Sequence, residues 1–165
     1  MDIQDVPAVV TGGASGLGEA TARFLASQGA KVAVFDVQMD KAEAVAKDIG
    51  GIAVFCDVTS AESAEQAMQT AKETHGLCGI AVNCAGIGNP GRIIGREGPM
   101  TLDFFSKVIQ VNLVGSFNIL RLAADQMKDR EANADGERGV IISTASVAAF
   151  EGQIGQAAYS ASKGG

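Results

Sequence analysis

Apolar residues along the chain gather into short unbroken runs, separated by longer stretches in which they recur every three or four positions. Runs at 8–10, 32–35, 52–56, 80–83 and 140–143 have strand length. They are apolar throughout instead of alternating, which is the pattern of strands covered on both faces and hence of a parallel sheet. Amphipathic stretches at 16–28, 40–49, 60–75 and 102–128 predict helices, with Gly29, Gly50 and Gly76 standing where the first three stop. Thr59 with Glu62 forms a capping box ahead of the third. In the fourth, Phe105, Ile109, Leu113 and Phe117 fall four apart, and Leu120 with Ala124 continues a stripe expected to face the core. Strands and helices alternate from end to end, and right-handed crossovers turn that order into an α/β fold with a doubly wound parallel sheet of Rossmann type. Segments 88–100 and 129–139 are polar, glycine-containing loops of a length that is often functional. No repeat, low-complexity tract or linker divides the chain, so residues 1–165 are expected to form one domain.

Composition narrows the possibilities. A chain of 165 residues, 47% apolar and 19% charged, suits a single globular core. No apolar run approaches the roughly 20 residues that a bilayer helix needs. No leader-like segment precedes the first strand, so a cytoplasmic protein without a membrane partner is expected. The net charge of −6, with basic residues only in isolated pairs, argues against nucleic acid as a partner. Cys56, Cys78 and Cys84 lack C-x-x-C spacing and read as buried thiols of a reducing compartment. His75 is the single histidine, which leaves no His-rich metal site to assemble; standing before Gly76, it reads as a helix-end residue compatible with the dipole.

Glycine is abundant, 21 of 165 residues, and unevenly spread. Thr11-Gly12-Gly13-Ala14-Ser15-Gly16-Leu17-Gly18 lies between the first strand and the first helix. A diphosphate needs backbone N–H donors and the positive end of a helix dipole, and side chains would block its approach. Gly12, Ser15, Gly16, Leu17 and Gly18 are therefore candidate cofactor contacts, spaced G-x-x-x-G-x-G instead of the common G-x-G-x-x-G. Asp36 ends the second strand 18 residues after Gly18, where a carboxylate can bond adenosine ribose hydroxyls and repel a 2′-phosphate. Neither Gly13 nor Val37 offers a cation to hold such a phosphate, so NAD is expected over NADP. Near the chain's end, Tyr159 and Lys163 stand at i and i+4, neighbours on one helix face. A phenol titrates near about 10, and an adjacent cation favours its phenolate.

These motifs, together with Cys56-Asp57-Val58 and Asn83-Cys84-Ala85-Gly86, make the whole chain resemble the short-chain dehydrogenase/reductases. The resemblance implies that Asp57 and Val58 flank the adenine and that Asn83, Cys84, Ala85 and Gly86 build the sheet centre beside the cofactor. It implies a catalytic set of Asn112, Ser146, Tyr159 and Lys163. Ser146, 13 residues before Tyr159, would bond the substrate oxygen, and Asn112 would serve a water-borne proton relay. Tyr159 would exchange the proton while Lys163 holds the nicotinamide ribose, so both would also bind cofactor. Within the family, Thr144-Ala145-Ser146-Val147-Ala148-Ala149-Phe150-Glu151-Gly152-Gln153 is similar to the type 2 3-hydroxyacyl-CoA dehydrogenases. An acyl-CoA substrate and a homo-oligomer are implied, with Arg92 and Arg96 as candidate contacts for the CoA phosphates. Another NAD-dependent alcohol or hydroxysteroid dehydrogenase remains open, as does a non-catalytic nucleotide-binding or interaction subunit. The family continues beyond the tyrosine-lysine motif, so the fold is expected to be incomplete at its C-terminus, with a frayed last helix and no activity from these residues alone.

Overall fold

A computed structural model describes residues 2–96 and 98–165; Met1 and Glu97 lie outside the described residues. The strands are β1 (Pro7–Thr11), β2 (Lys31–Asp36), β3 (Ile52–Phe55), β4 (Ile80–Asn83) and, later, β7 (Val140–Ser143). Between them run α1 (Gly16–Ser27), α2 (Met39–Ile49), α3 (Ala61–His75), α4 (Leu102–Ile109) and α5 (Gly115–Met127). The five strands are all parallel, in the order β3-β2-β1-β4-β7. Chain direction across the sheet therefore reverses between β1 and β4, and such a switch point opens a crevice at the carboxyl ends of the strands.

Strand side chains alternate between two apolar layers. Val9, Ala33, Phe35 and Ala81 join Met68, Ile119 and Ala123 beneath α3 and α5. Ala8, Val10, Val32, Val34, Ile80 and Val82 join Ala22, Ala42 and Val45 beneath α1 and α2. This double cover is why β1, β2 and β4 read as unbroken apolar runs. At the sheet edge the expectation fails. Ile141 packs onto the α3/α5 layer, but Val140 and Ile142, paired with Ile80 and Val82, remain 38% and 49% exposed.

The third helix is capped by Ser60, whose Oγ accepts from the Ser63 amide at 3.2 Å. The expected Thr59–Glu62 box does not form, because the Thr59 hydroxyl donates to Asp57 and Glu62 accepts from Gln66. His75 ends α3 as expected, and burial first, then the charge of Lys31, pushes its pKa down, against the charge that would complement the dipole.

The expected single helix 102–128 is interrupted. Gln110–Val114 forms a π-helical segment between α4 and α5. Its core face carries Val108, Asn112, Gly115, Ile119, Ala123 and Met127, so the predicted stripe is corrected: Phe117 is 60% exposed, and Leu120 and Ala124 also lie outside the core. The first long loop holds a two-residue hairpin, β5 (Ile94–Gly95) with β6 (Gly98–Pro99). After β7, a 3₁₀ turn at Val147–Ala149 leads to α6 (Ala157–Gly164), a helix formed through Lys163 rather than frayed before it.

Candidate functional site

The glycine turn sits at the switch point. Gly12 adopts φ +64°, and a Cβ there would come within 2.8 Å of the Ala85 amide nitrogen, so this turn and the turn after β4 close on each other. Thr11 Oγ1 completes the junction by accepting from the Cys84 and Ala85 amides at 3.2 and 3.1 Å. Gly16 borders open space at the start of α1, and the N-cap residue Ser15 spends no side-chain bond on the helix. Backbone amides and a dipole end thus face the crevice unobstructed.

A cleft of about 750 Å³ opens there, lined by Gly12, Ser15, Leu17, Gly18, Asp36, Asp57, Val58, Cys84, Ala85 and Gly86 among others. These ten are expected cofactor contacts. Asn83 lies beneath the wall instead: it is buried, and its Nδ2 donates to the Ser116 carbonyl and Ser143 Oγ, each at 3.4 Å. Asp36 is only 7% exposed. Its Oδ2 accepts from the Ala14 amide at 3.1 Å and its Oδ1 from the Gln38 amide at 2.9 Å, tying the glycine turn to the β2–α2 turn. Asp57 Oδ1 accepts from the Thr59 amide and hydroxyl at 2.9 and 2.7 Å. Lys107, Gln110 and Val111 also line the cleft. Sequence spacing gives no signal for them, since α4 and the π segment after it reach the cleft only through the fold.

The four expected catalytic residues come from three elements: Asn112 and Lys163 line one cavity, Lys163 stands beside the Tyr159 ring, and Ser146 opens the 3₁₀ turn. Asn112 lies in the π segment, where its Oδ1 accepts from the Ile87 amide at 2.8 Å and its Nδ2 donates to the Ile87 carbonyl and to Ser162 Oγ, both at 2.9 Å. That carboxamide is fully committed, and the backbone carbonyl of Asn112 accepts from Ser116 Oγ at 2.7 Å. Ser162 donates onward to the Tyr159 carbonyl at 2.7 Å, so the π segment clamps α6 to the loop after β4. Ser146 Oγ accepts from the Ala148 amide at 3.2 Å, which leaves its own proton free to donate. The ring of Tyr159 stands beside Gly88, where a Cβ would be 3.6 Å away.

Lys163 Nζ lies 5.9 Å from the Tyr159 ring centroid and donates to Thr144 at two atoms, the carbonyl at 2.7 Å and Oγ1 at 3.2 Å. Asn112, Ser116, Thr144, Ser162 and Lys163 share the wall of a second cavity of about 340 Å³. Arg92 and Arg96 are exposed on the first loop. Among the described residues no helix is long and apolar enough to cross a membrane.

The family model for the short chain dehydrogenases matches residues 7–165. The chain belongs to the short chain dehydrogenase family. It is 50% identical over 165 residues to 3-hydroxyacyl-CoA dehydrogenase type-2 of Drosophila melanogaster, covering 98% of this chain and 65% of that relative. The human protein of the same name is 50% identical over 167 residues, with 99% and 64% covered. The crystal structure of 3-hydroxyacyl-CoA dehydrogenase type-2 from Mycobacterium avium superposes with a TM-score of 0.89 at 41% identity, covering 98% of this chain and 65% of that one. The chain thus spans just under two thirds of the length of these relatives. The glycine turn and the turn after β4 line one cleft, and α6 stands against the loop that continues from β4.

Proposed function

We propose that the protein is an NAD-dependent oxidoreductase acting on a secondary alcohol or ketone, with a 3-hydroxyacyl-CoA as substrate. The observation that carries this reading is the position of Tyr159: its ring stands beside Gly88, two residues beyond the cleft-lining Gly86, with Lys163 one helical turn on. The cleft suits a dinucleotide, since amides at the start of α1 are open to a diphosphate and the Asp36 carboxylate stands in the wall for ribose hydroxyls. The cofactor would supply the hydride acceptor as NAD⁺ in oxidation and the hydride donor as NADH in reduction.

The chain's own residues handle position and the proton. Ser146 donates its free hydroxyl proton to the substrate oxygen and fixes that oxygen near Tyr159. Tyr159 as phenolate takes the hydroxyl proton of the alcohol and, as phenol, returns it to the ketone oxygen. The charge of Lys163 lies beside the Tyr159 ring, and its ammonium would hold the nicotinamide ribose. Asn112 acts at one remove: its bonds to Ile87 and Ser162 set the position of α6.

The similarity to 3-hydroxyacyl-CoA dehydrogenases supports the substrate class, and turnover of 3-hydroxybutyryl-CoA with NAD by the full-length protein tests it. No NADH formation with that substrate, but turnover of another secondary alcohol, would keep the chemistry and reject the acyl-CoA. NADP in the same assay tests the choice of cofactor that Asp36 implies. We also infer a homo-oligomer, supported by exposed Phe117, Val140 and Ile142 and tested by light scattering.

A further inference from the structure

The loop from β3 to α3, which carries Asp57, Val58 and Thr59 into the cleft wall, is held from below by α5. Gly115 begins that helix, and a Cβ there would stand 2.5 Å from Val58 Cγ2, so helix and loop are in direct contact. One turn later Asn118, 7% exposed, directs its amide nitrogen at the same loop. Its Nδ2 donates to the Val58 carbonyl at 3.0 Å and to the Ser60 carbonyl at 3.3 Å. Its Oδ1 accepts from Arg121 Nε at 2.9 Å, while Arg121 Nη2 donates to Glu65 on α3 at 2.9 Å. The two carbonyls bracket Thr59, whose amide and hydroxyl hold the Asp57 carboxylate.

We infer that Asn118 is a positioning residue for the adenosine half of the cofactor, acting through Val58 and Ser60. The inference rests on the reading of the cleft as a dinucleotide site with Asp57 and Val58 at its adenine end. With the Val58 and Ser60 carbonyls drawn down onto one nitrogen, the loop presents Asp57 and Thr59 to the cleft. An amide is the side chain that can do this: one nitrogen supplies two donors, and the oxygen, paired with Arg121, fixes which way it points. A carboxylate of equal size has no proton for either carbonyl. An aliphatic side chain leaves the buried Val58 carbonyl without its donor and the Ser60 carbonyl with the Ala64 amide alone, which the loop relieves by turning Val58 toward solvent and moving Asp57. The catalytic groups on α6 hang from Asn112, two turns earlier, so the effect belongs to the adenosine end alone.

The test is calorimetric titration of the full-length protein with NAD, AMP and nicotinamide mononucleotide, alongside steady-state kinetics. Asn118→Ala is expected to weaken NAD and AMP together by about tenfold, to leave nicotinamide mononucleotide unmoved, and to raise the KM for cofactor far more than it lowers kcat. Arg121→Met, at a half-exposed position, should weaken AMP in the same direction by a smaller factor and serves where Asn118→Ala fails to fold. Unchanged AMP affinity in the folded Asn118→Ala protein, or in Arg121→Met where that is the variant measured, overturns the inference and leaves the cofactor reading standing. A fall in kcat with the cofactor KM unchanged overturns it as well. Failure of the unmodified protein to bind NAD and AMP overturns both readings.

Discussion

Tyr159 is the chain's single phenol, and its use depends on which cations and donors reach it. Lys163 Nζ is one such group, 5.9 Å from the ring centroid and bonded to Thr144. Tyr159→Phe keeps the ring against Gly88 and removes only the proton-carrying oxygen. In the full-length protein, cofactor affinity by titration should therefore hold while turnover falls by roughly 10² to 10⁴. Lys163→Met should lower both, because one ammonium is assigned to ribose and phenolate alike. The three thiols separate in a different way. Burial pushes Cys56 and Cys78 up to about 12, with Asp57 and Asp36 adding to the rise at Cys56. Burial raises Cys84 too, but the Thr21 hydroxyl and the charge of Lys163 work against it, and Cys84 lies in the cleft wall. Mass spectrometry after iodoacetamide at pH 8 should show Cys84 alkylated first and slowed by NAD, with Cys56 and Cys78 modified only on unfolding. Equal rates at all three would contradict the burial order.

Helix ends and helix faces show where reading the chain succeeds and where it fails. Gly29, Gly50 and Gly76 end their helices with φ of +87°, +67° and +100°, as glycine's freedom at that position leads one to expect. The stripe on the fourth helix misleads because residues four apart advance about 40° beyond a full turn at each step. From Phe105 to Phe117 that drift carries the row off the core, onto the face lining the smaller cavity. The π segment leaves no mark in an apolar pattern, since it is defined by which carbonyl each amide finds. Its sequence hint is Asn112, a polar residue whose burial needs partners that only the loop at Ile87 and the helix at Ser162 provide. The cap of α3 was misplaced by one residue because Thr59 and Ser60 are both competent, and the Asp57 carboxylate takes Thr59 away. Ser60→Ala should cost roughly 0.5–2 kcal/mol by denaturant titration. Glu62→Ala should cost only the few tenths that an acid near a helix N-terminus contributes. A larger loss at Glu62 than at Ser60 would restore the capping box.

At the scale of the molecule, local signals are enough for parallel strands alternating with helices, because burial on both faces writes itself into every central strand. The order β3-β2-β1-β4-β7 is not local: it depends on which strand pairs with β1 on its second side. The position of the switch point, and with it the approach of Lys107 and Val111 to the cleft, follows from that pairing. Covering of β7 is likewise not written in its four residues, which look like those of β4 yet leave Val140 and Ile142 exposed.

One titration ties a single side chain to the stability of this whole assembly. His75 closes α3 over β2, and its Nε2 is buried with no hydrogen-bond partner among the described residues. Burial lowers its pKa from 6.5, the Lys31 charge lowers it further, and contact with the Val32 backbone offsets part of the shift. The folded protein therefore resists a proton that the unfolded chain accepts near its ordinary value. Above 6.5 neither state is charged and the contribution is intact. As pH falls below 6.5 toward the depressed native value, proton uptake by the unfolded chain pulls the equilibrium that way. Asp125, whose pKa is lowered by Lys128, acts in a separate window at and below the usual carboxylate value of 3.8. Urea midpoints should hence decline between pH 7 and pH 5.5, and His75→Gln, which cannot titrate there, should flatten the decline. An equal slope in both proteins would place the acid sensitivity elsewhere than at the end of α3.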